Sequence, residues 1–263
     1  AARGTITGNR SITAASLYMR STHGEVNQNY ATRTTGETKF VSASTMRVAN
    51  SESSAGNLVL QSTAGSIYIQ GNARATAIDI DAEHSVINGT STMYAGAGGI
   101  NIWAGTSITN VGGRIWSHGN IDLLAGRKRA GSITSTHGTA AALSGYIRSY
   151  GSNKNVRLDT DRGTIRLTNN GVIASGNVTL DASGELWITR SHVEGNTVAL
   201  EARTNYIVNE VGSLVKARQL DVNTRGGKNL YNRSGARIWA KRDVKVTGNV
   251  MYNHGQPVPA GRD

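Results

Sequence analysis

A five-residue phrase returns every 20 to 24 residues along most of the chain: apolar, mostly polar, apolar, mostly polar, small. Its copies begin at Leu58, Ile78, Ile100, Ile121, Val156, Val178, Val198, Leu220 and Val244, with one longer step of 35 residues between Ile121 and Val156. Alternation with period two predicts a β-strand with one face inward, and a fixed longer period predicts stacked repeats. Aligned, the first and third positions hold only Leu, Ile and Val, and the fifth holds Ser, Ala, Thr or Gly, as a tight corner requires. A second phrase follows about nine residues later and often ends in Asn: Val86-Ile-Asn88, Ile108-Thr-Asn110, Leu167-Thr-Asn169, Ile207-Val-Asn209, Leu230-Tyr-Asn232 and Met251-Tyr-Asn253. Gly follows each Asn within three residues, which reads as a turn, and stacked Asn side chains would form an amide ladder. A third short strand recurs at Ile115-Trp-Ser117, Ile173-Ala-Ser175, Val215-Lys-Ala217 and Ile238-Trp-Ala240.

Three short strands and three turns in about 20–22 residues describe one coil of a parallel β-helix. Each coil buries its apolar columns only against its neighbours, so stability is shared along the axis. Residues 56–255 form the regular shaft, with an insertion near 127–155. Residues 1–55 read as less regular coils with strands near Leu17, Val26 and Met46, and 256–263 as a tail. The pattern starts and stops in mid-repeat, so a segment of a longer chain is expected. At about 4.8 Å per coil, eleven to twelve coils give a rod of about 50–60 Å.

Composition narrows the chemistry. The chain has no Cys, which excludes disulfides, thiolate metal sites and cysteine catalysis. No run of 18 apolar residues is present to span a bilayer as a helix. Net charge is +11, and from Arg203 onward eleven basic residues meet four acidic ones, an excess of 11 − 4 = +7. Such a field attracts polyanions such as sulfated glycans, but no nucleic-acid reader motif accompanies it. The candidate polyanion or glycan contacts are Lys216, Arg218, Arg237, Trp239, Lys241, Arg242 and Lys245. The alternative is that these side chains serve solubility and edge protection.

Asp159, Asp181 and Glu201 share one outward column on consecutive coils, with Arg157, Arg203 and Arg225 near enough to pair with them. A solvated, ion-paired face outweighs a metal or glycan-cleaving site there. The His-Gly pairs at His23, His118, His137 and His254 read as turn tips spread along the axis. Trp103, Trp116, Trp187 and Trp239 fall on outward positions, where an aromatic ring can stack on a sugar.

The phrases Leu167-Thr-Asn-Asn-Gly-Val-Ile-Ala-Ser-Gly-Asn-Val-Thr-Leu-Asp-Ala182 and Leu230-Tyr-Asn-Arg-Ser-Gly-Ala-Arg-Ile-Trp-Ala-Lys-Arg-Asp-Val-Lys-Val246 resemble the haemagglutinin-type repeats of large two-partner-secretion exoproteins. That family includes filamentous haemagglutinin and the contact-dependent growth inhibition effectors of Gram-negative bacteria. The resemblance covers roughly residues 56 to 255. It implies a right-handed parallel β-helix shaft, export by an outer-membrane partner transporter, and a place on the bacterial surface in adhesion, virulence or toxin delivery. This chain departs from the family in its basicity and in the 127–155 insertion.

The expectation is a non-enzymatic shaft segment of a secreted adhesin, without cofactor or metal, meeting a receptor or glycan on host or neighbouring cells. One alternative is a binding segment centred on the basic carboxy-terminal quarter. Another is a polysaccharide lyase, hydrolase or phage-tailspike β-helix, which would need carboxylates converging across a cleft.

Overall fold

The computed structural model of the chain describes residues 2–127, 131–136, 146–225, 228–233, 235–249 and 251–253. Among them there is no helix; the chain winds through short strands, and every strand pairing is parallel to the equivalent strand one coil away. The alternation seen in the sequence produces this directly, because a period of two turns alternate side chains inward along each strand.

Three ladders run along the axis. The first is built from the five-residue phrase, and its register is the one the sequence alignment gives: Ile121 pairs with Val156, Val156 with Val178, and Val178 with Val198. All four are fully buried. It extends two coils further toward the amino terminus, through Thr38–Ser42 and Leu17–Arg20. The second ladder is a twelve-stranded sheet running from Ile6–Gly8 to Met251–Asn253. Its eleven intervals at about 4.8 Å make a stack roughly 53 Å long. The third ladder contains Ile115, Ile147, Val172, Val193 and Val215 as one inward column.

The three strands of a coil are not always separate. Third and first strands run together as Ala73–Ala82, Thr92–Ala104, His192–Ala202, Leu214–Thr224 and Arg237–Thr247. Register shifts at Ala75/Ala77 and at Ala217/Gln219 let the backbone turn the corner without ending the strand. Coils touch so closely at another corner that a Cβ on Gly163 would sit 1.3 Å from the Gly131 carbonyl oxygen. Only glycine fits there.

The Asn residues of the second phrase divide into two roles. Asn88, Asn110, Asn209 and Asn232 point inward and are buried. Asn88 Nδ2 donates to Asn110 Oδ1 at 2.7 Å, Asn110 Nδ2 to Ser135 Oγ at 3.1 Å, and Asn209 Nδ2 to Asn232 Oδ1 at 2.8 Å. The amides also cap the corner by donating to main chain, Asn88 to Ser91 and Asn110 to Gly113. The expected ladder therefore exists, but in two pieces. Leu167 and Ile188 take the same column between them.

Asn169 does not join the ladder. It lies two residues past Leu167 with φ 51°, in the left-handed region, at a corner where Gly112, Arg190, Gly212 and Gly235 adopt the same geometry. Its neighbour Asn170 instead turns inward and donates to Ser135 Oγ at 2.7 Å.

The stretch around 127–155 contributes ordinary rungs. Gly131–Thr136 pairs with Ile108–Val111 and Gly163–Thr168 in the second ladder, and Tyr146–Ser149 pairs within the third. The length left over between these rungs is 137–145. Those residues, with 128–130, His137, His254 and the 254–263 tail, lie outside the described residues.

Candidate functional site: the basic corner and the outer faces

The basic residues singled out from sequence fall on the last two coils. Lys216 and Trp239 face each other across the third ladder, with Lys216 Nζ 5.9 Å from the Trp239 ring centre. Lys216 is already engaged, its Nζ lying 2.7 Å from Glu194 Oε1. The other five basic candidates behave differently. Arg218, Arg237, Lys241, Arg242 and Lys245 are exposed and form no ion pair among the described residues.

The backbone explains why several of them project together. Ala217 pairs with Ala240 and Gln219 with Asp243, so Arg218 on one coil, and Lys241 and Arg242 on the next, fall outside the regular pairing. All three therefore stand at one corner of the coil. Arg237, at the start of the same strand, and Lys245, opposite Asp221 on the first ladder, lie to either side. Five cations along one ridge can meet a repeating anion at several points, while a single phosphate would engage only one or two. Trp239 is half-buried and Lys216 is paired with Glu194, unlike the five exposed cations.

The acidic column behaves as an ion-paired face. Asp159, Asp181 and Glu201 are indeed stacked in register. Arg203 bridges the first two, with Nη2 at 3.2 Å from Asp159 and 2.6 Å from Asp181, while Arg157 closes on Asp159 and Arg225 on Glu201. Burial pushes the Asp159 carboxyl above its ordinary range and repulsion from Asp181 adds to this; Arg157 and Arg203 pull the other way. The hydrogen bond to Asp181 holds the Arg203 proton more firmly. Cations already fill the spaces a metal would need, and among the described residues no group of three potential ligands converges.

The four tryptophans are not equivalent. Trp187 donates through Nε1 to Glu185 at 2.7 Å and packs edge-on against Tyr206, with Arg166 and Arg233 nearby. Trp116 meets Tyr150 edge-on at 5.7 Å beneath Arg114. Trp239 is half-buried. Trp103 is the most exposed of the four, at 43 %, with the Arg127 guanidinium 4.9 Å from its ring centre. Sequence placed all four outward; it gave no means of ranking them, because the stacking partners come from neighbouring coils. The turn-tip reading of the histidines also needs one amendment. His118 packs on Tyr94 and Tyr150, at 5.9 and 6.1 Å, and so joins the Trp116 cluster.

No family model, no curated protein and no solved structure matches this chain.

Proposed function

We propose that this chain is a non-enzymatic shaft segment of a secreted, surface-exposed bacterial filamentous protein, of the adhesin or contact-dependent inhibition kind. The observation that carries the reading is the unbroken twelve-stranded parallel ladder, with the aliphatic columns of the first ladder in register from Leu58 to Val222. A tube of this kind resists bending and stretching because interstrand hydrogen bonds lie along its axis. It presents outer faces at fixed spacing, which suits a spacer that carries contacts. The likeness of its phrases to haemagglutinin-type repeats supplies the bacterial-surface part of the proposal. Export through an outer-membrane partner follows from that likeness and not from the coils.

The free cations at the basic corner favour a second role for the same rod, contact with a polyanionic glycan on another cell. Beads coated with the purified chain test both. Adhesion to cultured cells that falls with rising salt, and falls again in an Arg237→Glu, Lys241→Glu, Arg242→Glu variant, is the expected result. Absence of adhesion by the parent chain would remove the adhesive reading. Unchanged adhesion in the variant would remove the basic corner from it.

A further inference from the structure

The first ladder carries a second feature, of opposite charge, six coils away from the basic corner. Two outward columns run side by side there. One reads Val59, Asp79, Asn101, Asp122, and the other Gln61, Asp81, Trp103, Leu124. Trp103 is thus ringed by Asp81 on the coil before, Asn101 on its own strand, and Asp79 and Asp122 diagonally on either side. Clefts of about 280 and 250 Å³ open on its two flanks, one over Asp79 and Asp81, the other over Asp122, Leu124 and Arg157. Each has room for a single sugar ring.

Three things set this place apart from the rest of the surface. The aromatic is the most exposed of the four tryptophans, with the Arg127 guanidinium over one face of its ring. Asp79 and Asp81 are in no ion pair among the described residues, although the chain has an excess of eleven positive charges, and Asp122 has only Arg157 opposite it, which is already closed on Asp159. Asp79 is oriented, because Asn101 Nδ2 donates to its Oδ1 at 2.8 Å. Burial raises the Asp122 carboxyl, with Arg157 opposing it only in part. An unneutralised, partly desolvated carboxylate opposes folding, so a partner that neutralises it gains that energy on binding.

We infer that the Trp103 groove binds an oligosaccharide of amino sugars whose amino groups are free and protonated. The indole offers a flat face to the C–H side of a pyranose and attracts a nearby ammonium. Asp79, Asp81 and Asp122 accept from hydroxyls and from the ammonium, and Asn101 can both donate and accept. The carboxylates lie on coils about 4.8 Å apart, so an extended ligand along the axis meets acceptors repeatedly. An acidic sugar chain would be repelled here, and a neutral one would leave the carboxylates unpaired. The groove and the basic corner thus select opposite ligands on one rod.

The test is calorimetric titration of the purified chain at physiological ionic strength with a β-1,4-linked glucosamine tetramer. Its N-acetylated counterpart and tetralysine serve as comparison probes. Expected are saturable binding of the glucosamine tetramer at least tenfold tighter than either comparison, and at least a tenfold loss in Trp103→Ala with partial retention in Trp103→Phe. The double variant Asp79→Asn, Asp81→Asn should abolish the preference for the free amine while its thermal melt stays that of the parent. Equal binding of the N-acetylated tetramer, tighter binding of tetralysine, no binding of the glucosamine tetramer, or indifference to Trp103→Ala would each overturn the inference.

Discussion

The coils at 26–53 and those at 58–202 share one geometry and differ in what fills it. In the later coils the first and third positions of the phrase are Leu, Ile and Val throughout the first ladder, all buried. In the earlier coils Thr38 takes the first column, and Thr32 and Ser51 take the third-ladder column that Ala73, Met93 and Ile115 fill afterwards. The register does not change at the boundary: Thr38 pairs with Leu58 and Ser51 with Ala73. The hydroxyls are accommodated locally, Thr34 Oγ1 lying 2.8 Å from Thr38 Oγ1 and donating to the Gly36 carbonyl, with Ser53 also bonding to Gly36. Phe40, the only Phe in the chain, restores volume beside them and is fully buried. The backbone ladder and the filled volume therefore set the coil, and aliphatic chemistry sets how strongly it is held.

The outer faces differ in the opposite sense. Glu25 and Glu52 of the early coils face Arg47 and Arg33 across a rung, at 3.1 and 3.9 Å. Asp79 and Asp81 of the later coils are in no ion pair among the described residues, and Asp122 lies opposite Arg157, which is closed on Asp159.

The largest effect should come from emptying the aliphatic column. Leu158→Ala leaves a void between Leu123 and Leu180, both fully or almost fully buried, and is expected to cost about 2–5 kcal/mol in denaturant unfolding. Because each coil leans on its neighbours, amide exchange should accelerate on the flanking coils first. A cost below about 1 kcal/mol would mean that the column is not what holds these coils.

A smaller effect of opposite sign is expected in the early coils. Thr32 Oγ1 and Ser51 Oγ are buried and have no hydrogen-bond partner among the described residues. Thr32→Val keeps the shape and removes a desolvated hydroxyl, so it should raise stability by about 1 kcal/mol. Destabilisation on the same scale would show that the polar interior of these coils is required, and the contrast drawn here would lose its basis.

The same contrast explains what could be read in advance. From Leu58 onward the alternation is clean, so strand positions, the nine aligned phrases and the Val156–Val178–Val198 register were all legible. Around Thr32, Thr38 and Ser51 the inward residues are polar, and period two no longer distinguishes inside from outside. Tyr146–Ser149 was hidden differently: Ile147 carries the inward signal of a third-ladder rung, but the 35-residue step masks its place in the repeat. The basic corner could be listed by residue from the charge count alone. That Arg218, Lys241 and Arg242 share a corner depends on the register shift after Ala217, which leaves no mark in composition. The Trp103 groove was legible only in part, as an outward Trp on one phrase. Its assembly needs residues 22 and 43 positions apart along the chain, Asp79 to Asn101 and Asp79 to Asp122.

The smallest effect tests the outer half of the comparison, and it depends on pH. Burial raises the Asp122 carboxyl above 3.8, with Arg157 opposing. In the window between the unfolded and folded values the native state holds the proton more often than the unfolded chain does. Stability therefore falls as pH rises through that window, and stays lower above it. Asn at this position has the same shape and no charge, and Asn101 already occupies the same column one coil earlier. Asp122→Asn should therefore melt slightly higher than the parent at pH 7, with the gap closing near pH 3, where the parent carboxyl is protonated in both states. Arg157 would lose a partner in this variant, which works against the gain. Melting curves of both proteins at the two pH values decide the balance. A gap that is equal at both, or reversed at pH 7, would mean that Arg157 outweighs burial, and that the later coils compensate their outer charge as fully as the early ones do.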